Sequence, residues 1–231
     1  MGEADWSFLG GSLDINTVDR GVTSGATPPP AGGSFVYAFN SLVQAGGAVG
    51  KYPNQSGFDP AAKGSSIRGA VQRGAGGGST GFSPFLFSQL QGNSVNDSGY
   101  KLGLSDEEPH RIVLRKGSIA SGCPAVSQTT GLLAQSSESF LVGDWLHLRL
   151  DAIVNLNDDV ILNCYYSDLD AHDVDSPVWT AIPGIAQFID DHLGINSGSQ
   201  PYTSGRMGFA FQVTEITRRS YFDYLEAIRQ V

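Results

Sequence analysis

The chain reads as an all-β protein, an antiparallel sandwich or jelly roll, and three observations carry that reading. Its 231 residues include 30 glycines and 11 prolines, which supply turns and interrupt helices. Short segments alternate apolar and polar residues with a period of two, the pattern of half-buried strands. The acids are 17 aspartates and only 6 glutamates; aspartate favours turns and glutamate favours helices. Hydrophobic residues make up 40% of the chain, enough for a core, and a single β-sandwich of this length is ordinary.

The elements follow in order. Residues 1–33 are irregular: "DWSFLG" suits a short edge strand, and "GVTSGATPPPAGGS" is a Pro/Gly linker or an extended N-terminal arm. One sandwich domain is expected over residues 34–231. "SFVYAFNSL" and "SSIRGAVQR" alternate as strands, and "GAGGGSTG" interrupts the chain after them. "FSPFLFSQL" is apolar, with Pro84 suggesting an edge strand or a bulge. "GYKLGLS" and "HRIVLRKG" are strands around the acidic turn "DEEP". The second sets Ile112 and Leu114 on one side and Arg111, Val113 and Arg115 on the other. From Ser118 to about Glu138 the chain is polar and rich in Gly and Ser.

The second half is sharper. "GDWLHLRLDAIV" sets Leu146, Leu148, Leu150 and Ala152 on one face and Trp145, His147, Arg149 and Asp151 on the other. "NLNDD" turns the chain into a partner strand, "VILNCYY". "PGIAQFIDDHLG" predicts the one short helix, with Pro183 in its first turn and Gly194 at its stop. "INSGSQPYTSG" is a polar loop, and "RMGFAFQV" and "RRSYFDYLEAIRQ" are closing strands. In the last, Tyr221, Asp223 and Leu225 alternate with Phe222, Tyr224 and Glu226.

The net charge is −9, and it is concentrated. Between Asp144 and Asp191 ten aspartates face one arginine, Arg149, so that segment alone holds −9. The acidic surface this implies is unsuited to nucleic acid or to an anionic membrane. Arg218 and Arg219 could pair with acids on a neighbouring copy, which would suit self-assembly. Cys123 and Cys164 make no C-x-x-C pair, so a zinc knuckle or thioredoxin motif is excluded. Whether they pair with each other stays open; Cys164, in an apolar run, reads as a buried thiol. The start, "MGEADW", has no apolar signal-peptide core. No apolar run nears the ~18 residues that cross a bilayer. The expectation is a protein made in the cytoplasm that leaves, if at all, by lysis or within a particle.

Two resemblances sharpen the fold. Gly143-Asp144-Trp145-Leu146-His147-Leu148-Arg149-Leu150, the hairpin through Asn157-Asp158-Asp159, then Gly205-Arg206-Met207-Gly208-Phe209 and Tyr221-Phe222-Asp223 resemble the concanavalin A-like, laminin-G-type jelly roll. The likeness lies within residues 139–231 and specifies fold better than function. The stretches "LGLSDEEPHRIVLRKG", "GDWLHLRLD" and "RRSYFDYLEAIRQ" make the whole chain similar to a group of virion proteins of tailed bacteriophages. That resemblance implies a non-enzymatic structural part of a tail, baseplate or head surface, packed against other virion proteins and located in the virion. A lectin-like module that recognises host-surface glycan is the alternative.

Residue types and their spacing bound the candidate chemistry. A glycoside hydrolase needs paired carboxyls, often Glu-x-Asp-x-x-Glu or Glu-x-Asp-x-Glu on one strand. The glutamates, at 3, 107, 108, 138, 215 and 226, do not make that spacing. The four histidines are scattered and suggest no triad, and "GAGGGSTG" lacks the Gly-Lys-Ser/Thr of a phosphate cradle. The stretch "YYSDLDAHDVDSPVW" holds Asp168, Asp170, Asp173 and Asp175 beside His172. An EF-hand from Asp168 would need Gly and Glu where Asp173 and Trp179 stand. A loop calcium site with Asp158 and Asp159 as further ligands stays open, against aspartates that merely cap turns. For glycan, the resemblance implies loop acids with an aromatic platform; Tyr165, Tyr166, Trp179 and Tyr202 are the candidates, equally suited to packing. No catalytic residue and no cofactor other than calcium is expected.

Overall fold

The structure, a computed structural model, describes residues 6–9, 18–23, 36–41, 47–53, 63–73, 82–106, 108–124, 126–141, 143–169, 173, 175–213 and 219–229. Its strands in chain order are β1 (Trp6–Phe8), β2 (Val18–Thr23), β3 (Val36–Ser41), β4 (Gly47–Pro53), β5 (Ser65–Arg73), β6 (Phe82–Leu90), β7 (Ser98–Leu104) and β8 (Arg111–Ser118). After a 3-10 turn (Ile119–Ser121) come β9 (Leu132–Ser139), β10 (Trp145–Val154), β11 (Val160–Ser167), β12 (Thr180–Ala181), β13 (Gln187–Asp190), β14 (Arg206–Val213) and β15 (Arg219–Arg229). They form two antiparallel sheets, β1-β4-β14-β6-β7-β8-β9 and β12-β11-β10-β5-β15-β3-β2, with β13 also on β11. The chain is thus an antiparallel jelly-roll sandwich of the concanavalin A-like kind. No helix among the described residues is long and apolar enough to cross a membrane.

The core lies between the sheets. Leu146, Leu148, Leu150 and Ala152 of β10 meet Leu86, Leu102, Ile112 and Leu114 from the facing sheet, with Phe209 and Phe222 ring to ring at 4.8 Å. Burying each such side chain contributes about 1.5–3 kcal/mol. Within the first 33 residues, β1 borders one sheet on β4 and β2 borders the other on β3; the rest of the arm lies outside the described residues. Cys123 and Cys164 are both buried and form no disulfide with each other.

Four local expectations are corrected. The helix over Pro183–Gly194 is absent. Gly184 takes φ +91°, which no helix allows, and a Cβ there would meet the Gln135 carbonyl oxygen. Gln187–Asp190 instead pairs with β11 and alternates with a period of two, Phe188 packing on the core and Asp190 wholly buried. Sheet hydrogen bonding to an open edge outweighs the local helical cues. Pro84 lies on an interior strand: β6 has β14 on one side, while its ladder with β7 begins one residue later at Phe85, so the missing N–H breaks no bond there. The polar stretch from Ser118 contains β9, and Ile119 and Cys123 are buried in it. Leu225 joins Phe222 on the core rather than opposing it, because Tyr224 at φ +46° opens a bulge that shifts the phase by one. Gly69 makes room for it; a Cβ there would strike the Leu225 side chain at 2.5 Å.

Candidate functional site

The outer face of the eight-stranded sheet is built from the residues of β10, β11, β5 and β15 that alternate away from the core. Registers align them in rows: Ala70, His147 and Ser167; then Glu226, Arg68, Arg149 and Tyr165; then Ser66, Asp151 and Asn163. Arg149 donates two hydrogen bonds to Asp151, Nε to Oδ1 at 2.9 Å and Nη2 to Oδ2 at 2.7 Å. Ser66 donates to the same carboxylate at 2.5 Å. The guanidinium also lies 5.4 Å from the Tyr165 ring and 5.9 Å from Trp179. Two aromatic faces and a fixed fork of donors therefore share one patch. Beside it Arg68 is bonded to Glu226 and sits 5.7 Å from the Tyr224 ring.

Trp179 and Tyr224 cover His147. The Trp179 ring is 4.7 Å from the imidazole and Tyr224 is 6.0 Å away, edge on. Asp175 bonds the Tyr224 hydroxyl, which ties the aspartate-rich loop across the sheet to β15. Burial, and the nearby Arg68 charge, pull the His147 pKa down to about 4, so the ring is neutral near pH 7.

Of the four aromatic candidates, the structure brings together Tyr165 and Trp179. Tyr166 points the other way, packing on the core with its ring 6.5 Å from Phe140. Tyr202 stacks on Tyr100 at 5.4 Å, with Lys116 Nζ 4.9 Å from its ring, in a buried cluster. There Lys116 pairs with Asp190 at 2.7 Å, and Ser197 and Tyr100 donate to the same carboxylate. Burial and that carboxylate push the Tyr100 phenol up. The cluster pins the loop before β14. Sequence reasoning missed His147, Arg149 and Asp151 as site residues although it placed them on the outward face; their two-residue spacing on β10 was the available signal.

The described calcium candidates fall into two groups at opposite ends of β11. Asp158 pairs with Lys63 at 2.5 Å. Asp159 accepts from Asn155 and from the backbone and ring of His192, bonds that hold its pKa at about 2. Asp168, Asp173 and Asp175 are exposed at the other end of β11. Eight residues of strand, at ~3.3 Å each, separate the two sets by roughly 26 Å, too far to share an ion. Asp170 and His172, like Arg218, lie outside the described residues. Among the described residues no three metal-ligating side chains come together. A cleft of about 290 Å³ between Leu90–Asn93 and Ser204–Arg206 lies at the other sheet and has no aromatic in its lining.

No family model matches the chain, and no curated protein matches its sequence. Solved structures do match the fold. A cellulose-induced protein, Cip1, aligns over 100% of this chain and 94% of its own at 8% identity, with a TM-score of 0.54. An alginate lyase of the PL-14 class from Aplysia kurodai aligns over 93% and 88% at 10% identity, TM-score 0.53. A Shewanella oneidensis MR-1 protein of unknown function, SO2946, aligns over 98% and 87% at 8% identity, TM-score 0.50.

Proposed function

We propose that this protein binds carbohydrate on the outer face of the eight-stranded sheet. One observation carries the reading: Arg149, fixed by Asp151 at 2.7 Å, lies half-exposed against both Tyr165 and Trp179 on the outer sheet face. A sugar ring offers an apolar C–H side and a rim of hydroxyls. Aromatic rings take the first, and fixed donors and acceptors take the second. Asn163, bonded to Gln187 at 3.0 Å, extends the polar rim.

The reading is binding rather than catalysis. Asp151 and Glu226, two carboxylates of the face, are each engaged by an arginine rather than turned toward a ligand. The fold also occurs in an alginate lyase, so it is compatible with a polysaccharide ligand, but the proposal rests on the face itself.

Packing within a tailed-phage virion is the second reading. Ile153, Ile161 and Ile189 form one row across β10, β11 and β13, with Ile153 and Ile189 exposed and Leu156, Leu193 and Ile195 exposed nearby. Such a patch suits protein contact. Binding of purified protein to a panel of immobilised glycans separates the two. Retention on at least one glycan, lost in Trp179→Ala and Tyr165→Ala, supports the first. Retention on none, with self-assembly through the isoleucine row, supports the second.

A further inference from the structure

His147 is wholly buried and Ser167 is 3% exposed, and the two are direct cross-strand partners on the outward face. Among the described residues, neither imidazole nitrogen nor the serine hydroxyl has a hydrogen-bond partner. Buried polar atoms are paired in the great majority of cases. Three orphans on adjacent positions, at the foot of an aromatic cluster, therefore call for a reason. Nothing in the core requires polar residues here: their side chains alternate away from it, and their inward neighbours Leu146, Leu148 and Tyr166 pack against it.

We infer that His147 and Ser167 are the floor of a hydroxyl-recognition subsite that Trp179 covers, and that this subsite takes the terminal ring of a neutral glycan. The inference rests on the carbohydrate reading above. A neutral imidazole donates from one nitrogen and accepts at the other, and serine does both. Neighbouring hydroxyls on a sugar ring do the same, so the two sets complement each other. The charged and titratable groups around the ring are Arg68 on β5, Arg149 on β10, Asp223, Tyr224 and Glu226 on β15, and Asp175 from the loop. Arg68 and Arg149 are held by Glu226 and Asp151, so neither is offered to a uronate or sialate. The floor is two side chains wide and bounded by Trp179 and Tyr224. It admits hydroxyls of one ring, not a chain passing through. Trp179 stands two residues before Ala181, the β12 partner of Tyr165, outside any strand. It must lift for the ring to enter.

Isothermal titration of the full chain with methyl glycosides of glucose, galactose, mannose and N-acetylglucosamine, and with polymers of the same sugars, tests this. The variants are Ser167→Ala and Tyr165→Ala. At least one methyl glycoside binds wild type, and Ser167→Ala weakens it tenfold or more while its Tm holds or rises. Removing an orphaned hydroxyl relieves the fold, so lost binding with retained stability marks a functional residue rather than a structural one. Monosaccharide binding indifferent to Ser167→Ala overturns the subsite. So does polymer binding without any monosaccharide binding. Both leave the platform standing if Tyr165→Ala weakens the polymer. If no saccharide of either kind binds, the platform fails and the subsite fails with it.

Discussion

On the outer side of the seven-stranded sheet, Lys101 and Arg115 are buried and donate to backbone carbonyls. Lys101 reaches Ser118 and Gly122, and Arg115 reaches Thr130 and Pro124. On the outer side of the eight-stranded sheet, Arg149 and Arg68 bond carboxylates and lie against aromatic rings while staying partly exposed. The first face carries a second hydrophobic cluster: Phe85, Phe87 and Val113 from the strands, roofed by Val95, Ile119 and Cys123. The difference lies in the loops that connect the strands. One sheet has loops that fold back and satisfy its cations internally. Over the other, among the described residues, a loop crosses at Trp179 and Asp175. The cations sealed among carbonyls are part of a wall, while on the carbohydrate reading the partly exposed Arg149, held by Asp151 beside two aromatics, is oriented for recognition.

Breaking the sealed face has the largest expected effect. Lys101→Ala leaves buried carbonyls without a donor and opens a cavity, for a loss of about 3–4 kcal/mol in denaturant unfolding. Saccharide affinity of the folded fraction stays unchanged. The lysine's own pKa is drawn down to about 8 by burial, with Arg115 adding repulsion.

Acid breaks the other face next. His147 titrates at about 4 in the fold against 6.5 when unfolded, so its contribution is complete above pH 6.5 and is lost as pH falls through 4. The loss approaches about 3 kcal/mol. Unfolding followed from pH 7 to 4 reads it, and His147→Gln flattens the slope. Asp159 acts lower, its stabilisation fading as pH drops from 3.8 through about 2.

Trp179→Ala sharpens the comparison: affinity for a bound glycan drops about 10- to 100-fold by titration calorimetry, some 1.4–2.7 kcal/mol, with little change in Tm. The smallest effect is expected of calcium. Adding Ca²⁺ or EDTA leaves Tm where it was, because the acids at the two ends of β11 cannot share an ion. A Tm that rises with Ca²⁺ would contradict that placement.

Much of the frame was legible in the sequence. The alternation of β10 placed Leu146, Leu148 and Leu150 inward and His147, Arg149 and Asp151 outward, and the structure keeps that order. What alternation cannot show is what covers a face. Val113 and Arg115 share the side of β8 opposite Ile112 and Leu114, yet both are buried, Val113 in a cluster with Ile119 and Cys123. Tyr165 and Tyr166 looked equivalent as neighbours, and only strand parity against Cys164 and Leu148 separates platform from core. Gln187–Asp190 followed an edge that forms only once β11 is in place, a non-local bond that local propensity does not contain.

The central claim is that saccharide binds the outer face of the eight-stranded sheet. Backbone amide shifts of labelled protein, titrated with the saccharide that binds best, test it most directly. The account predicts perturbations grouped on residues 147–151, 163–167 and 179. Perturbations confined to the cleft at Leu90–Asn93 and Ser204–Arg206, with that face silent, would contradict it.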